Sequence, residues 1–396
     1  MELRELSAFW LILPLAIAFG LGWLASRMDK WQSKREPTLA PRAYFKGLNF
    51  LLNEQQDKAI DAFIEAVRLD PQTVDLQFAL GNLFRRRGEF ERSVRVHASL
   101  MERGDLQEPD RQRAQFELAN DYLKAGLLDR AETNYQGLTS TPFAAEAWQA
   151  LLAIAERSKH WEHAIEAAKA LEARGAGSYQ RWVAQYHCEL AEAAASAKPP
   201  NFTQAQLSLD AALQANPACV RAYLLRGDWR MLQGSSRGAL DAWLQIEAVA
   251  PSYVTLAAQR LAGLPVQHLD EVLTHLQRWF EQLPSIDTAD ALVRSLSDVG
   301  AQRAVLQDFL TRQKSLSAAR RVLNDVLTTK PEEATQTSLA AVQATQAALL
   351  AAVERGAQAG QRYRCASCGF EAKNYFWQCP GCLSWEAYPP KRVDDQ

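Results

Sequence analysis

Cys365-x-x-Cys368-Gly369 and Cys379-Pro380-Gly381-Cys382 are the residues best placed to do chemistry, two C-x-x-C pairs with ten residues between them. Four thiolates on two tight knuckles can meet at one tetrahedral ion, at metal–sulfur distances of about 2.3 Å. Gly369 allows the backbone to turn beneath the sulfurs, and Pro380 stiffens the second knuckle. Zinc is the default ion for such a set, and iron accepts the same geometry. Disulfide pairing is the alternative use, disfavoured in a reducing compartment. The surrounding segment is too short for a large core, so the ion should hold it folded. Tyr363, Phe370, Tyr375, Phe376, Trp377, Trp385 and Tyr388 are more aromatic surface than it can bury alone, which predicts docking on the rest of the chain. Cys188 and Cys219 fall in segments that read as helices and are expected to be core thiols.

Other reactive patterns lack their context. Gly234-Ser235-Ser236-Arg237-Gly238 fits G-x-S-x-G, but it falls at a turn between helices with no preceding strand to make a nucleophile elbow. His160 and His163 lack the H-E-x-x-H arrangement, and no phosphate-binding G-x-x-x-x-G-K-[ST] occurs. His97 occupies a packing position of a repeat. No enzyme is indicated. The charge balance, 44 Lys+Arg against 46 Asp+Glu for a net −2, excludes an acidic or basic tail protein. It also argues against nucleic-acid binding, as do the five basic and four acidic residues from Gln361 onward.

The elements that must carry the cysteine segment are helices. Gly 19 and Pro 16 in 396 residues are sparse, and 48% hydrophobic residues can bury a real core. Gly47, Phe50, Ala59, Phe63, Ala66 and Pro71 recur about 34 positions later as Gly81, Phe84, Ser93, His97, Leu100 and Asp105, the interval of a helix-turn-helix tetratricopeptide unit. Later copies place Ala119, Tyr122, Ala131 and Tyr135; Trp148, Leu151, Ala155, Ala164 and Ala168; Ala205, Leu209, Ala212 and Pro217; and Gly227, Ala239, Trp243 and Pro251. From Tyr253 the match weakens, although Val272, Leu276, Trp279, Pro284, Leu292, Leu296, Val305 and Phe309 keep the spacing. A final helix is expected from Pro331 to about Arg355. Stacked helix pairs make a concave surface suited to peptides or partner proteins. Phe78, Asn82, Arg85, Arg86, Phe116, Asn120 and Lys124 are expected to face it, an ordinary solvated helix face being the alternative.

Residues 8–25 carry no charge and would reach about 27 Å as a helix, enough for one membrane span. Trp10 and Trp23 lie near its ends. Arg27, Lys30, Lys34, Arg35 and Arg42 follow it against Asp29 and Glu36, so the bulk of the chain is expected on the cytoplasmic side. A cleaved signal peptide and a buried soluble helix are the competing readings; the first lacks a cationic leader and a clear small-x-small site, the second a polar stripe.

A span, a tetratricopeptide array and a terminal four-cysteine segment, in that order, resemble the lipopolysaccharide assembly protein B family of Gram-negative bacteria. The resemblance is most specific at residues 47–61 (GLNFLLNEQQDKAID), 81–88 (GNLFRRRG), 125–132 (AGLLDRAE), 363–370 and 379–385. It implies an all-α tetratricopeptide superhelix with an N-terminal transmembrane helix and a small rubredoxin-like module binding one zinc or iron ion through Cys365, Cys368, Cys379 and Cys382. The expected divisions are an anchor (1–27), a juxtamembrane linker (28–40), tetratricopeptide repeats (41–252), divergent helical repeats (253–355), a linker (356–361) and the metal module (362–390). The implied function is that of a non-enzymatic inner-membrane adaptor, which helps an FtsH-type membrane protease degrade the LpxC deacetylase that commits precursor to lipid A. The implied partners are that protease, the deacetylase, a membrane-embedded lipopolysaccharide-sensing protein and other lipopolysaccharide assembly proteins; a homodimer is among the assemblies such an array allows. A generic envelope-assembly scaffold, for cytochrome maturation or secretion, is the alternative function. A rubredoxin-type redox protein is a second, against which stands the short segment between the knuckles.

Overall fold

The computed structural model describes residues 39–312 except 71, residues 362–393, and positions 21, 23, 316, 319, 320, 353, 354, 356 and 357. The expected anchor and its linker lie outside the described residues, apart from helical Leu21 and Trp23 and the start of the first repeat helix. Most of the helix expected from Pro331 to Arg355 also lies outside them. No described helix is long and apolar enough to cross a membrane.

The chain divides into two compact units, Met1–Ala176 and Gly177–Gln396. In the first, antiparallel pairs are made by α1 (Leu39–Leu52) with α2 (Gln56–Leu69), α3 (Val74–Arg86) with α4 (Phe90–Met101), α5 (Glu108–Lys124) with α6 (Leu128–Gln136), and α7 (Ala144–Ser158) with α8 (Trp161–Ala173). In the second, α9 (Gln180–Ser196) pairs with α10 (Phe202–Ala215) and α11 (Val220–Leu232) with α12 (Ser236–Val249). There follow α13 (Val254–Leu261), α14 (Leu269–Gln282), α15 (Ile286–Ser295) and α16 (Val299–Arg312). Two short strands, β1 (Tyr363–Arg364) and β2 (Glu371–Ala372), pair antiparallel with Tyr363 opposite Ala372.

The small-large alternation read from the sequence is what packs each pair. A methyl group at Gly81 would lie 2.4 Å from His97 Nε2, and one at Gly227 would lie 2.1 Å from Trp243 Nε1, so these helices touch backbone to ring. Ala59, Phe63 and Ala66 are buried in the first repeat, and Ala119, Ala131 and Tyr135 in the third. In five of the six described helix pairs, all but α9–α10, the turn joining the helices has one residue in the left-handed region, where a side chain meets the following carbonyl. Gly88, Gly126 and Gly234 take it at φ +81°, +78° and +78°, while Glu54 and Lys159 take it at +58° and +57°. Gly234 and Ser235 thus form a helix-to-helix turn, and Ser236 opens α12 with its Oγ 3.0 Å from His268 Nε2.

The weakened periodicity after Tyr253 still marks core. Val272, Leu276, Trp279, Leu292 and Phe309 are buried in one cluster with Trp243, and Leu296 and Val305 pack at its edge. Cys188 lies in α9, whereas Cys219 precedes α11 as its N-cap rather than sitting within a helix. Both are buried, with sulfurs 3.8 Å apart.

Gly81→Ala should lower stability by about 1–3 kcal/mol through overpacking against His97. Gly104→Ala, where a methyl group would meet nothing within 4 Å, should be nearly neutral. Denaturant unfolding of the two variants beside wild type checks the contrast.

Candidate metal centre

Both knuckles are closed by the same backbone device. Gly369 N–H donates to Cys365 O at 2.9 Å, and Leu383 N–H donates to Cys379 O at 2.8 Å. The residue after the second cysteine of each pair is left-handed: Gly369 at φ +77° and Leu383 at φ +59°. Glycine adopts that conformation freely, while leucine does so at a cost of roughly 1–2 kcal/mol. Cys365 N–H donates to Phe370 O and Cys379 N–H to Ser384 O, so each knuckle is also tied to the chain that follows it.

The sulfurs converge. Cys365 Sγ lies 3.8 Å from Cys382 Sγ, and Cys368 Sγ lies 3.7 Å from Cys379 Sγ. Four sulfurs about 2.3 Å from a common centre, arranged tetrahedrally, are separated by roughly 3.8 Å. The four thiols therefore fit one tetrahedral ion. Cys365 and Cys379 are buried and Cys368 and Cys382 exposed, so the cluster has an inner wall and an open side.

The protein environment prepares the set for deprotonation unevenly. Burial pushes the Cys379 thiol up, but the N–H groups of Cys382 and Gly381 and the Tyr388 hydroxyl outweigh it, bringing the thiol down to about 6. The Ser384 hydroxyl and N–H lower Cys382. At Cys368 the Phe370 N–H pulls downward, yet desolvation and the three neighbouring thiols prevail and push it up to about 12. Cys379 is thus readied to serve as a thiolate, whereas an ion must displace the proton of Cys368 to bind it.

The aromatic excess of the module is spent on its own unit. Trp377 stacks on Tyr253 at 6.3 Å with planes 11° apart, and Trp385 meets Tyr186 edge-on at 5.8 Å. Leu256 of α13 packs on the cluster formed by Tyr363, Cys365, Cys379 and Tyr388. Polar ties frame these contacts. Arg392 Nε donates to Asp287 Oδ2 at 2.9 Å, Thr255 Oγ1 donates to Pro390 O at 2.6 Å, and Gln185 Nε2 donates to Glu386 Oε1 at 2.8 Å beside an Arg181–Glu386 ion pair. Asp287 sits in the first turn of α15 behind a Ser285–Thr288 capping box, where a carboxylate suits the positive helix end. The expectation of docking thus holds, but Arg181, Gln185, Asp287 and Arg392 carried no local signal in the sequence.

The residues expected in a groove are distributed otherwise. Phe78 is buried, tilted against the His97 ring and covered by the Arg113 guanidinium at 4.1 Å. It is a packing residue between repeats, a correction to its expected groove position. Arg85 is committed to Glu117 and to buried Asp121, and its NH2 group also donates to Asn82 Oδ1. Asp121 further accepts from Ser93 Oγ and contacts His97 Nδ1, each at 2.6 Å. Phe116 stacks on Phe143 at 4.9 Å, and Asn120 accepts from the Tyr135 hydroxyl. Arg86 and Lys124 are exposed.

Comparison with known proteins agrees with this anatomy. Residues 363–387 match the family described as Rubredoxin metal binding domain, and residues 46–96 and 201–253 match Tetratricopeptide repeat. The chain is 31% identical over 391 residues to lipopolysaccharide assembly protein B of Escherichia coli strain K12, covering 98% of each chain. It is 28% identical over 403 residues to the protein of the same name from Haemophilus influenzae, covering 96% of this chain and 97% of the relative. Among solved structures, a tetratricopeptide repeat protein from Parabacteroides merdae aligns with 65% of this chain and 98% of its own, at 13% identity and a TM-score of 0.33.

Cys368→Ser, or chelation of the wild-type protein, should release one metal equivalent per chain and open residues 362–393 to protease while the repeats of Met1–Ala176 stay folded. Metal analysis with limited proteolysis reads both effects. Arg392→Ala leaves the carboxylate of Asp287 nearly buried without its cation and should cost on the order of 1–3 kcal/mol, less than a fully buried pair because Arg392 itself is partly exposed. Arg364→Ala, which removes a solvent-screened pair with Glu371, should leave stability nearly unchanged. Chemical unfolding of the metal-loaded variants checks the difference.

Proposed function

The chain belongs to the lipopolysaccharide assembly protein B family, and from that premise we propose that it is a non-enzymatic adaptor of the inner membrane in lipopolysaccharide assembly. Residues 1–27 tether it, and the repeats and metal module work on the cytoplasmic side. The tether brings the repeats beside an FtsH-type membrane protease, and the repeats promote degradation of the LpxC deacetylase. A membrane-embedded partner that senses lipopolysaccharide sets how strongly they do so. The observation that carries this reading is kinship along almost the whole chain, repeats and cysteine module together.

Cys365, Cys368, Cys379 and Cys382 hold one ion, zinc in the leading reading and iron in the alternative, whose part is to tie the two knuckles into one body. The protein groups do the rest. Tyr253, Leu256, Asp287, Arg181 and Gln185 receive the loaded module on the second unit, so the metal governs the shape of a repeat surface rather than a reaction. Exposed Arg86 and Lys124 remain proposed contacts for a partner, with half-buried Asn82, Arg85, Phe116 and Asn120 supporting that face.

Deacetylase half-life in cells depleted of this protein tests the proposal. It should lengthen several-fold, return to normal with the full-length chain, and stay long with a chain lacking residues 1–27 or carrying Cys368→Ser. A half-life insensitive to depletion would sink the protease role and leave the general envelope scaffold. Full rescue by the untethered chain at normal abundance would remove the anchor from the mechanism. A coloured, iron-containing protein after aerobic purification would favour the redox alternative; a colourless protein with stoichiometric zinc excludes it.

A further inference from the structure

The first unit carries a second convergence of metal-binding atoms, remote in sequence from the cysteines. Glu132 of α6, His160 at the N-cap of α8 and His163 in its first turn each offer a ligand atom, all within 4.8 Å of one another. His163 Nδ1 lies 3.2 Å from Glu132 Oε1, and the two imidazole rings stand 5.7 Å apart at 75°. We propose that Glu132, His160 and His163 form a second metal site, for one exchangeable divalent ion of the zinc, cobalt or nickel class.

The local backbone explains why these side chains meet. His160 N–H donates to Ala155 O at 2.9 Å across the left-handed Lys159 turn, and His160 O accepts from Ala164 N–H at 3.0 Å, so His160 is fixed at the helix entrance. His163 lies three residues further, on the same side of the first turn. Glu132 comes from the preceding repeat, and its side chain is only 21% exposed, against 57% for His163. A held carboxylate therefore faces two imidazoles that solvent can reach. Bond lengths of about 2.0–2.2 Å in a tetrahedron need ligand atoms roughly 3.4 Å apart. The Glu132–His163 spacing already meets this, and rotation of the exposed imidazoles brings in the rest.

The donor set chooses the class of ion. Two imidazoles and one carboxylate suit zinc and its first-row neighbours, whereas magnesium and calcium prefer an all-oxygen shell. Three protein ligands leave positions for water, the pattern of an open site rather than a closed structural one. The positive end of α8 opposes a cation there, so binding should be weaker than at four thiolates and sensitive to metal supply. An ion so held bridges α6 to α8 and clasps two successive repeats.

The test uses the untagged full chain with zinc already bound at the cysteines, dialysed against Co²⁺ and then analysed for both metals. One cobalt per chain should bind without loss of zinc, giving weak visible d–d absorption and none of the intense thiolate-to-cobalt band in the near ultraviolet. The His160→Ala/His163→Ala double variant should lose this cobalt, and Glu132→Gln should weaken it at least about tenfold, with helicity by circular dichroism unchanged in both. Absence of cobalt beyond the zinc in wild type overturns the proposal. So does a cobalt that the folded double variant retains, or one that replaces zinc and brings the thiolate band.

Discussion

Two helices of a repeat can lie together this closely only where one of them presents almost no side chain. Gly47 against Phe63, Gly81 against His97 and Gly227 against Trp243 are three instances of one contact, each with a ring lying where a methyl group would have to be. The alanines at 59, 66, 119, 131, 205 and 212 serve the same end from other positions, and all are buried. Because the interior is close-packed, this spacing fixes where every later side chain falls. The helices that receive the cysteine module are set by that spacing. Tyr186 on α9, Tyr253 at the N-cap of α13, Leu256 on α13 and Asp287 on α15 are far apart in sequence, yet all reach a single small module.

The module depends on its surroundings in two ways. Its sulfurs are arranged by backbone turns, which the chain makes locally, but Trp377, Trp385 and the ion pair of Arg392 find their partners in the preceding residues of the second unit. A short segment with few buried residues cannot offset the conformational entropy of its own ordering. The ion supplies one part of the difference and the docked face supplies another. The division also accounts for the ionic groups at the docked face: Asp287 at a helix N-terminus is paired with Arg392, and Glu386 with Arg181 and Gln185.

Much of this was legible in the sequence where the determinant is local or periodic. The cysteine spacing alone specifies two knuckles, and the recurrence of small and large residues specifies paired helices even past Tyr253. Leu383 was not legible as a left-handed residue, because leucine avoids that region unless the structure around it compels it. Docking contacts such as Thr255 with Pro390 join positions 135 apart, with no period to announce them. Phe78 lies on the helix face expected to line a groove, but Arg113 from the following repeat covers it. Ion pairs between repeats also recur near one repeat length. Arg85 with Asp121 spans 36 positions, Arg237 with Glu271 spans 34, and Arg260 with Asp228 spans 32.

The long sequence separation between the module and its receiving helices has a consequence during synthesis. Arg181 precedes its partner Glu386 by 205 positions. At roughly 5–20 residues per second, the helix bearing Arg181 leaves the ribosome about 10–40 s before the residue that completes its ion pair. Tyr253 and Leu256 wait less long, about 6–25 s by the same rates for the chain to reach Trp377, and until then they are an apolar face without Trp377 and the cysteine cluster over it, open to any other chain nearby. The repeats of the first unit close their ion pairs sooner: Arg113 pairs with Asp75 across 38 positions. Nascent chains stalled between the last repeats and the first knuckle are therefore the species of this protein most exposed to chaperones and to misassociation.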